Sequence, residues 1–475
     1  MPIPTHGLPA GEVLGRLAAL RERDVPWRDG RVFAGVYDPG EEVENAIKAA
    51  YAEFLSENAL YPNYFPSLLQ IENDVVRMLA GLLGGEQTVG NCTSGGTESI
   101  LLALKAARDW ARAARPEIAA PAVVLARTAH PAFHKAAHYL GLRVVMTDFD
   151  PRTFRADPRA IERAITPETI LLVASAPSYS HGVVDPVPQI AALAAERGIL
   201  CHVDACVGGL HLAMMRKAGY AVPEFDLRVP GVTSLSVDMH KYGYAAKNTS
   251  ALLYRDRELR RFALYACAET TGYVVINTSV LSSRTGGPLA GAWAALNVLG
   301  EDGYVQIVRA VQQATRRLID GVSAIAGLRV LGEPDMCLFA FAADEVSVFE
   351  LDDALVRRGW FLQPQFRAPG TPATLHLTVN RSNVAHVDAL LADLAAAVAE
   401  VRASPSVGDT AALQAEVERL MQSPGPETFA RIAALAGMTP GQMPSSFARI
   451  NTVLDALPDP VVDMLLVEYL NSIYA

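Results

Sequence analysis

The sequence is short of positive charge, short of cysteine, and has no long uninterrupted apolar run. Lys and Arg together number 41 against 51 Asp and Glu, a net charge of -10, and only 19% of the 475 residues are charged. That balance excludes the basic surface a nucleic-acid binder needs, so no nucleic-acid partner is expected. A 51% hydrophobic share likewise excludes a disordered chain. Five cysteines (Cys92, Cys201, Cys206, Cys267 and Cys337) form an odd set without a C-x-x-C pair. They read as small buried hydrophobes of a reducing, cytoplasmic compartment rather than a disulfide framework. The opening MPIPTHGLPA lacks the cationic and apolar regions of a secretory signal. The greasiest stretches, Ile170 to Ala176 and Ala389 to Val401, are too short or carry Asp393 and Glu400, so no membrane-spanning segment is expected.

A length of 475 residues predicts two or three domains, each with a real core, and an enzyme is the natural expectation. Between about Val76 and Trp293, short β-branched runs alternate with amphipathic helices. The runs are Ala122 to Ala126, Arg143 to Thr147, Ile170 to Ala174, Ile199 to Asp204, Ser234 to Asp238 and Ser250 to Tyr254. This pattern predicts an α/β domain with a mostly parallel sheet, whose active site lies beyond the strands' carboxyl ends. After Gly300, strands at Leu328 to Leu331, Met336 to Ala342, Trp360 to Gln363 and Thr374 to Thr378 surround helices at Val346 to Arg358 and Val387 to Val401, predicting a smaller α+β domain. The expected division is 1–75 as an N-terminal arm, 76–300 as the large domain, and 301–475 as the small domain. The last ends in a helical tail that follows a turn at Ser404 to Gly408 and contains prolines at 424, 426, 440, 444, 458 and 460.

Four local features carry chemistry. Thr93-Ser94-Gly95-Gly96-Thr97-Glu98 ends a turn and opens a helix over Ser99 to Ala114. Such a turn offers N–H groups to a phosphate, but equally suits a helix capped by Ser94 or Thr97. In Ser234 to Gly243, a strand ends in His240-Lys241, and a desolvated lysine there can attack a carbonyl, although a surface lysine would look the same. Asp204 ends an apolar strand, where it either turns the chain or holds a pyridine nitrogen protonated. His130, just past another strand, can lay its ring over an aromatic cofactor. Together, the glycine turn, His130, Asp204 and Lys241, in that order along the chain, are the parts of a pyridoxal phosphate site.

Those motifs make the chain resemble pyridoxal-phosphate enzymes of the aspartate aminotransferase fold type, in the group II decarboxylase superfamily, and especially its sphingosine-1-phosphate lyases. The lyase-like stretches include Asn58-Ala59-Leu60-Tyr61-Pro62, Thr93 to Leu101, Thr128-Ala129-His130, His181 to Val187, Gly231 to Ser234, His240 to Lys247, Ser283 to Gly287 and Leu470 to Tyr474. The resemblance implies a fold type I large domain with a seven-stranded, mostly parallel sheet and the cofactor pyridoxal 5'-phosphate. It implies Lys241 as the Schiff-base lysine, Asp204 on the pyridine nitrogen and His130 stacked on the ring. Ser94, Gly95, Gly96, Thr97, Ser236 and His240 belong to the implied cofactor site, with the phosphate held by Gly95, Gly96, Thr97 and His240. Gly286 and Gly287 complete it from a second subunit, so a homodimer is implied.

The same resemblance places Asn58, Tyr61, Lys247 and Tyr474 around the phosphate of a phosphorylated lipid substrate, with Tyr179 near the reacting carbon. The implied reaction is a retro-aldol cleavage of a phosphorylated long-chain base to a fatty aldehyde and phosphoethanolamine, with Tyr179, His181 or Lys247 as proton carrier. Three features depart from the family pattern. Tyr61 stands where the lyases carry His, Ala246 and Asn248 flank Lys247 in place of Pro and Gly, and Phe33, with Tyr37 close by, stands near an upstream tyrosine position. Tyr donates one hydrogen bond to a phosphate but carries no positive charge. An amino-acid decarboxylase is the competing enzyme, and a fold-retaining scaffold the competing non-enzyme. The spacing of His130, His134 and His138 suggests zinc, yet no H-E-x-x-H accompanies it and no metal is expected. Met214-Met215 and the aromatics Phe262, Tyr265 and Tyr273 are expected in the core or on a dimer surface.

Overall fold

The computed structural model describes residues 3–269, 271–403, 410–422, 428–437 and 447–474. The expected turn at Ser404 to Gly408 and the prolines at 424, 426, 440 and 444 lie outside the described residues. The large sheet has seven strands: β1 (Val89–Thr93), β2 (Ala122–Ala126), β3 (Arg143–Thr147), β4 (Thr169–Ser175), β5 (Leu200–Asp204), β6 (Ser234–Asp238) and β7 (Ser250–Tyr254). Their order is β1-β7-β6-β5-β4-β2-β3, and only β7 runs antiparallel to its neighbours. Residues of β2 and β4 are buried throughout, as expected for strands covered on both faces. Alternation along β2 sends Val123 and Leu125 into one core with Ile100, Leu104 and Phe133, and Val124 and Ala126 into the other.

From β7 the chain passes through a hairpin, β8 (Tyr265–Cys267) and β9 (Val275–Asn277), to a helix at Gly287–Ala324 interrupted at Gly300, whose φ is 59° and ψ 179°. We propose this kink as the passage between the two expected domains. Beyond it, β10 (Leu328–Val330), β11 (Leu338–Ala343), β12 (Gln363–Gln365) and β13 (Thr374–Thr378) form an antiparallel sheet in the order β10-β11-β13-β12. The strand expected at Trp360 to Gln363 begins later. Trp360 is instead fully buried, its indole N–H donating to Asp393 at 2.7 Å, and Phe361 bridges to Val32. Pro364 in β12 is tolerated because β12 is an edge strand.

Within the N-terminal segment no residue of the helix Ala10–Leu20 is buried, whereas Phe33, Val43, Ile47 and Val75 belong to the main core. All five cysteines are free; Cys267, on the hairpin, is only half-buried, in contrast to the other four. Met214 and Met215 are core, while Tyr265 and Tyr273 are exposed. Among the described residues no helix is long and apolar enough to cross a membrane, and no group of three or more His, Cys, Asp or Glu is placed to hold a metal. His134 and His138 lie exposed on the helix Ala132–Leu140.

The loop from β4 to the helix Val187–Glu196 is pinned on both sides. Asp185 accepts the N–H groups of Ser175 and Ala156, each at 2.8 Å, and burial pushes its carboxyl up to about 6. Gly182 turns with φ 73° directly beneath β11, where a Cβ would stand 2.0 Å from the Leu338 carbonyl oxygen. Gly182→Ala is therefore expected to lower stability by roughly 2 kcal/mol or more, combining a left-handed backbone with a backbone clash. Denaturant or thermal unfolding would check this, and a wild-type midpoint would contradict the packing described.

Candidate active site

The parallel strands all point their carboxyl ends at one edge of the sheet, and a cavity of about 350 Å³ lies there. Each strand delivers a different group. The turn after β1 brings Ser94, Gly95, Gly96 and Thr97, and the turn after β2 brings His130. Tyr179 follows β4, Asp204 ends β5, and His240 and Lys241 follow β6. All nine line the cavity.

The glycine turn is shaped by what lies against it. A Cβ on Gly96 would come within 2.7 Å of the Cys206 sulfur and 3.0 Å of an Asp238 oxygen, so only glycine leaves the cradle open. Neither Ser94 nor Thr97 caps the helix Gly96–Ala114. Glu98 instead reaches back to accept the Ser94 N–H at 2.6 Å and reaches across to the Val280 N–H at 2.5 Å. The amides of a first helical turn have no acceptor within the helix, which leaves them for an anion.

Asp204 is buried, and one of its oxygens accepts from the Cys206 N–H at 3.1 Å and the Ser236 hydroxyl at 3.3 Å. Behind Ser236 stands His202, fully buried between Ser236 at 3.3 Å and Ser234 at 2.8 Å. Burial holds the His202 imidazole down to about 4, so this second layer is neutral and fixes Asp204 without adding charge. Ser236 therefore lies behind the carboxylate rather than in the cavity lining. His130 accepts the Ala132 N–H through Nδ1 at 3.1 Å; burial lowers its basicity, against the pull of Asp204.

At Lys241, burial favours the neutral amine, but the Asp238 carboxylate 2.9 Å from Nζ outweighs it and holds the ammonium well above the usual lysine range. The His240 ring faces Thr249 through Nδ1, 2.8 Å from its carbonyl oxygen, and burial lowers its basicity. Lys247 rests its ammonium 3.3 Å from the carbonyl oxygens of both Gly35 and His240, over the Tyr37 ring at 5.1 Å. Burial and the neighbouring Lys241 lower its pKa.

Several groups at this edge were not singled out from the sequence. Asp238 is three residues before Lys241, a local spacing that was legible in principle, yet an aspartate ending a strand looks like an ordinary turn residue. Tyr37, half-buried within electrostatic reach of Lys241, occupies the neighbourhood where Phe33 stood as a candidate; Phe33 itself packs on Trp360 in the core. The small domain contributes as well. Tyr179 donates its hydroxyl to Gln363 of β12 and lies 4.4 Å from the ring of His376 of β13. His376 in turn bridges the Ser180 carbonyl and the Thr378 hydroxyl, each at 2.8 Å. These partners are almost two hundred residues from Tyr179 in sequence and left no local signal. His181 packs against Phe154 at 4.2 Å, and neither ring nitrogen has a partner among the described residues.

The remaining sequence candidates stand elsewhere in the single chain. Asn58 donates to Ser283 at 3.2 Å and accepts from the Leu60 and Arg284 amides. Tyr61 is exposed and stacked on Tyr64, and Tyr474 is 77% exposed. Gly286 and Gly287 start the long helix, packed against Leu68 and Tyr51. None of these five lines the 350 Å³ cavity. A second cavity, of about 430 Å³, shares Ser94 and Glu98 with the first and is bounded by Ser283, Arg284 and Thr285, the residues just before Gly286.

Residues 27–344 match the model of the pyridoxal-dependent decarboxylase conserved domain, and residues 407–472 match that of a C-terminal putative HTH domain of pyridoxal-dependent enzymes. The second region carries three arginines, no lysine and eight acidic residues, the wrong charge for a DNA backbone. A sphingosine-1-phosphate lyase of Oryza sativa is 40% identical over 85% of this chain and 75% of its own length. A probable L-tyrosine/L-aspartate decarboxylase of Methanothermobacter thermautotrophicus is 32% identical over 78% of this chain and 97% of its own. Among solved structures, a sphingosine-1-phosphate lyase of Burkholderia pseudomallei superposes with a TM-score of 0.81 at 33% identity, covering 90% of this chain and 98% of that one.

The open cradle has a direct test. Gly96→Ala is expected to weaken retention of pyridoxal 5'-phosphate by about tenfold or more, because the methyl collides with Cys206 and Asp238 and displaces the turn that offers its amides to an anion. Equilibrium titration by absorbance measures it, and unchanged retention would take the cradle out of the cofactor site.

Proposed function

This chain belongs to the pyridoxal-dependent decarboxylase family, and from that premise we propose a carbon–carbon lyase that cleaves sphingosine 1-phosphate to a fatty aldehyde and phosphoethanolamine. The observation that carries the reading is the convergence of Lys241, Asp204, His130 and the Gly95–Gly96 turn on one cavity. That set fits pyridoxal 5'-phosphate by its chemistry: an amine for the aldehyde, a carboxylate for the ring nitrogen, a flat ring to stack, and an amide-lined cradle that a single Cβ would fill. When bound, the cofactor supplies an electron sink conjugated to the substrate's amino-bearing carbon.

The chain's own residues then do four things. Lys241 would hold the cofactor through its aldehyde and give way to the amino group of the substrate. Asp204, fixed by the Cys206 amide and Ser236, keeps the pyridine nitrogen charged. Tyr179, on the cavity wall, would carry the proton from the substrate's 3-hydroxyl. Its phenol, made less acidic by burial, is aimed by Gln363 and His376, so the small domain sets the position of the proton carrier. Lys247, over Tyr37 and beyond Lys241, supplies the cation for the substrate's phosphate; a guest anion replaces the two backbone carbonyls it now contacts.

Asn58, Tyr61, Tyr474 and the pair Gly286–Gly287 reach the site in a homodimer, each subunit completing the other's phosphate pockets. Supporting this reading are exposed apolar side chains on these same segments or beside them, including Tyr61, Tyr64, Val280 and Leu281. The five free cysteines agree with a cytoplasmic setting.

Incubation with sphingosine 1-phosphate is expected to yield aldehyde and phosphoethanolamine, whereas a panel of free amino acids yields no carbon dioxide. The reverse result would make the enzyme a decarboxylase. Lys247→Ala is expected to keep the cofactor's absorbance band while turnover of the phosphorylated substrate falls about a hundredfold, the scale of one or two charge-assisted hydrogen bonds. Retained turnover would move the phosphate clamp elsewhere.

A further inference from the structure

A buried row of hydroxyl groups runs beneath the glycine turn and ends on a carboxylate. The Thr93 hydroxyl lies 2.6 Å from that of Ser99, Ser99 lies 3.0 Å from Ser250, and the Ser250 hydroxyl donates to Asp238 at 2.6 Å. All four residues are buried. The other Asp238 oxygen faces two nitrogens, Lys241 Nζ at 2.9 Å and His240 Nε2 at 3.6 Å. The carboxylate thus ties the turn after β1 to the residue pair after β6, one for the cofactor's phosphate and one for its aldehyde.

We propose that Asp238 is a positioning residue: its carboxylate is the shared counter-ion of Lys241 and His240, holding the lysine as an ammonium ion in the free enzyme and pairing with the imidazole once the lysine nitrogen is committed. The inference rests on the reading of Lys241 as the cofactor's lysine. A buried carboxylate left without a cation is costly, so when Lys241 gives up its charge another must take it. His240 is built for that. With Nδ1 facing the Thr249 carbonyl, Nε2 is the nitrogen that faces Asp238. The other groups facing the lysine do not compete. Burial raises the pKa of Cys206, Tyr37 and Tyr179 and lowers the basicity of His130 as it does that of His240, but it is His240 whose Nε2 stands 3.6 Å from the carboxylate, and Lys247 only repels.

In the capture step, the Lys241 ammonium gives one proton to solvent, and once that nitrogen is committed His240 Nε2 takes one up from solvent. The freed lone pair attacks the aldehyde carbon, a C=N bond forms, and the aldehyde oxygen leaves as water. The imidazolium so made faces the glycine turn, where it meets the cofactor's phosphate.

Cofactor-free protein would be mixed with pyridoxal 5'-phosphate and, separately, with pyridoxal, which lacks the phosphate, and capture followed by absorbance between about pH 6.5 and 9. In the wild type the rate should climb about tenfold per pH unit without levelling, since the ammonium persists across the range. In Asp238→Asn, which preserves shape and the Ser250 contact, capture should level off within the range and run at least about tenfold faster at neutrality with both aldehydes. Asp238→Glu should keep the wild-type slope. Superimposable wild-type and Asn profiles overturn the proposal. Absence of capture in the wild type, or capture unaffected by Lys241→Ala, instead overturns the cofactor reading beneath it. If Asp238→Asn does not fold, Ser250→Ala should move the profile the same way by a smaller amount, and an unmoved profile counts against the proposal. Carbon-13 NMR of labelled histidine should show His240 becoming imidazolium on loading; a neutral ring in the loaded enzyme removes the second half of the role.

Discussion

The buried ion pair at the end of β6 is the constraint around which the rest of the site is arranged. An ammonium and a carboxylate 2.9 Å apart in an apolar sheet are tolerable only if every remaining valence is satisfied. The surrounding sequence satisfies them one by one: Ser250 donates to the carboxylate, Ser99 and Thr93 continue the row, and Gly96 has no Cβ to intrude. A seven-stranded sheet with buried faces supplies the rigidity to hold such a pair, and its parallel strands bring all their carboxyl ends to the same place. Chemistry is possible at this edge because the scaffold holds a charged amine against a buried carboxylate while leaving it open to the cavity.

A second layer works on the same principle with opposite sign. Asp204 is fixed by an amide and a serine, and behind that serine His202 is neutral. A neutral backing leaves the full carboxylate charge for whatever faces the cavity. The two acids thus have distinct duties set by their surroundings: Asp238 is matched by a lysine in the fold itself, and Asp204 is left to be matched by a guest.

Much of this was legible in the sequence because it is local. Strands β2, β3, β6 and β7 fall where the β-branched runs place them, and β4 and β5 do so within a residue at either end. The glycine turn, His130, Asp204 and His240-Lys241 all follow such runs, so the rule that sites lie beyond strand ends was enough to gather them. What failed to show was either disguised or remote. Asp238 was disguised by its ordinary position; Gln363 and His376 were remote, since no local pattern says that an edge strand of the small domain will aim Tyr179. Trp360 misled for a physical reason: an aromatic followed by Phe361 and Leu362 looks like a strand, but its indole is spent on Asp393.

The relatives divide between two reactions, and the residues that divide them are not those that bind the cofactor. Lysine, aspartate and stacking histidine serve bond cleavage at the amino-bearing carbon whichever bond is lost; the choice falls to whichever bond is held perpendicular to the cofactor's ring, so that its electrons flow into the sink. A decarboxylase must seize a carboxylate and a side chain. A lyase must anchor the far end of a phosphorylated amino alcohol and place a proton carrier at its hydroxyl. Lys247 and Tyr179 are suited to the second task, one a cation beside the cavity, the other a phenol on its wall held by the small domain. In the anchor proposed above, Tyr61 where the family resemblance implies histidine would bring no positive charge, leaving Lys247 to carry more of the attraction for a dianion. On the function proposed above, specificity would therefore rest more heavily on Lys247 and on the contacts of Tyr179 with Gln363 and His376 than on the cofactor site.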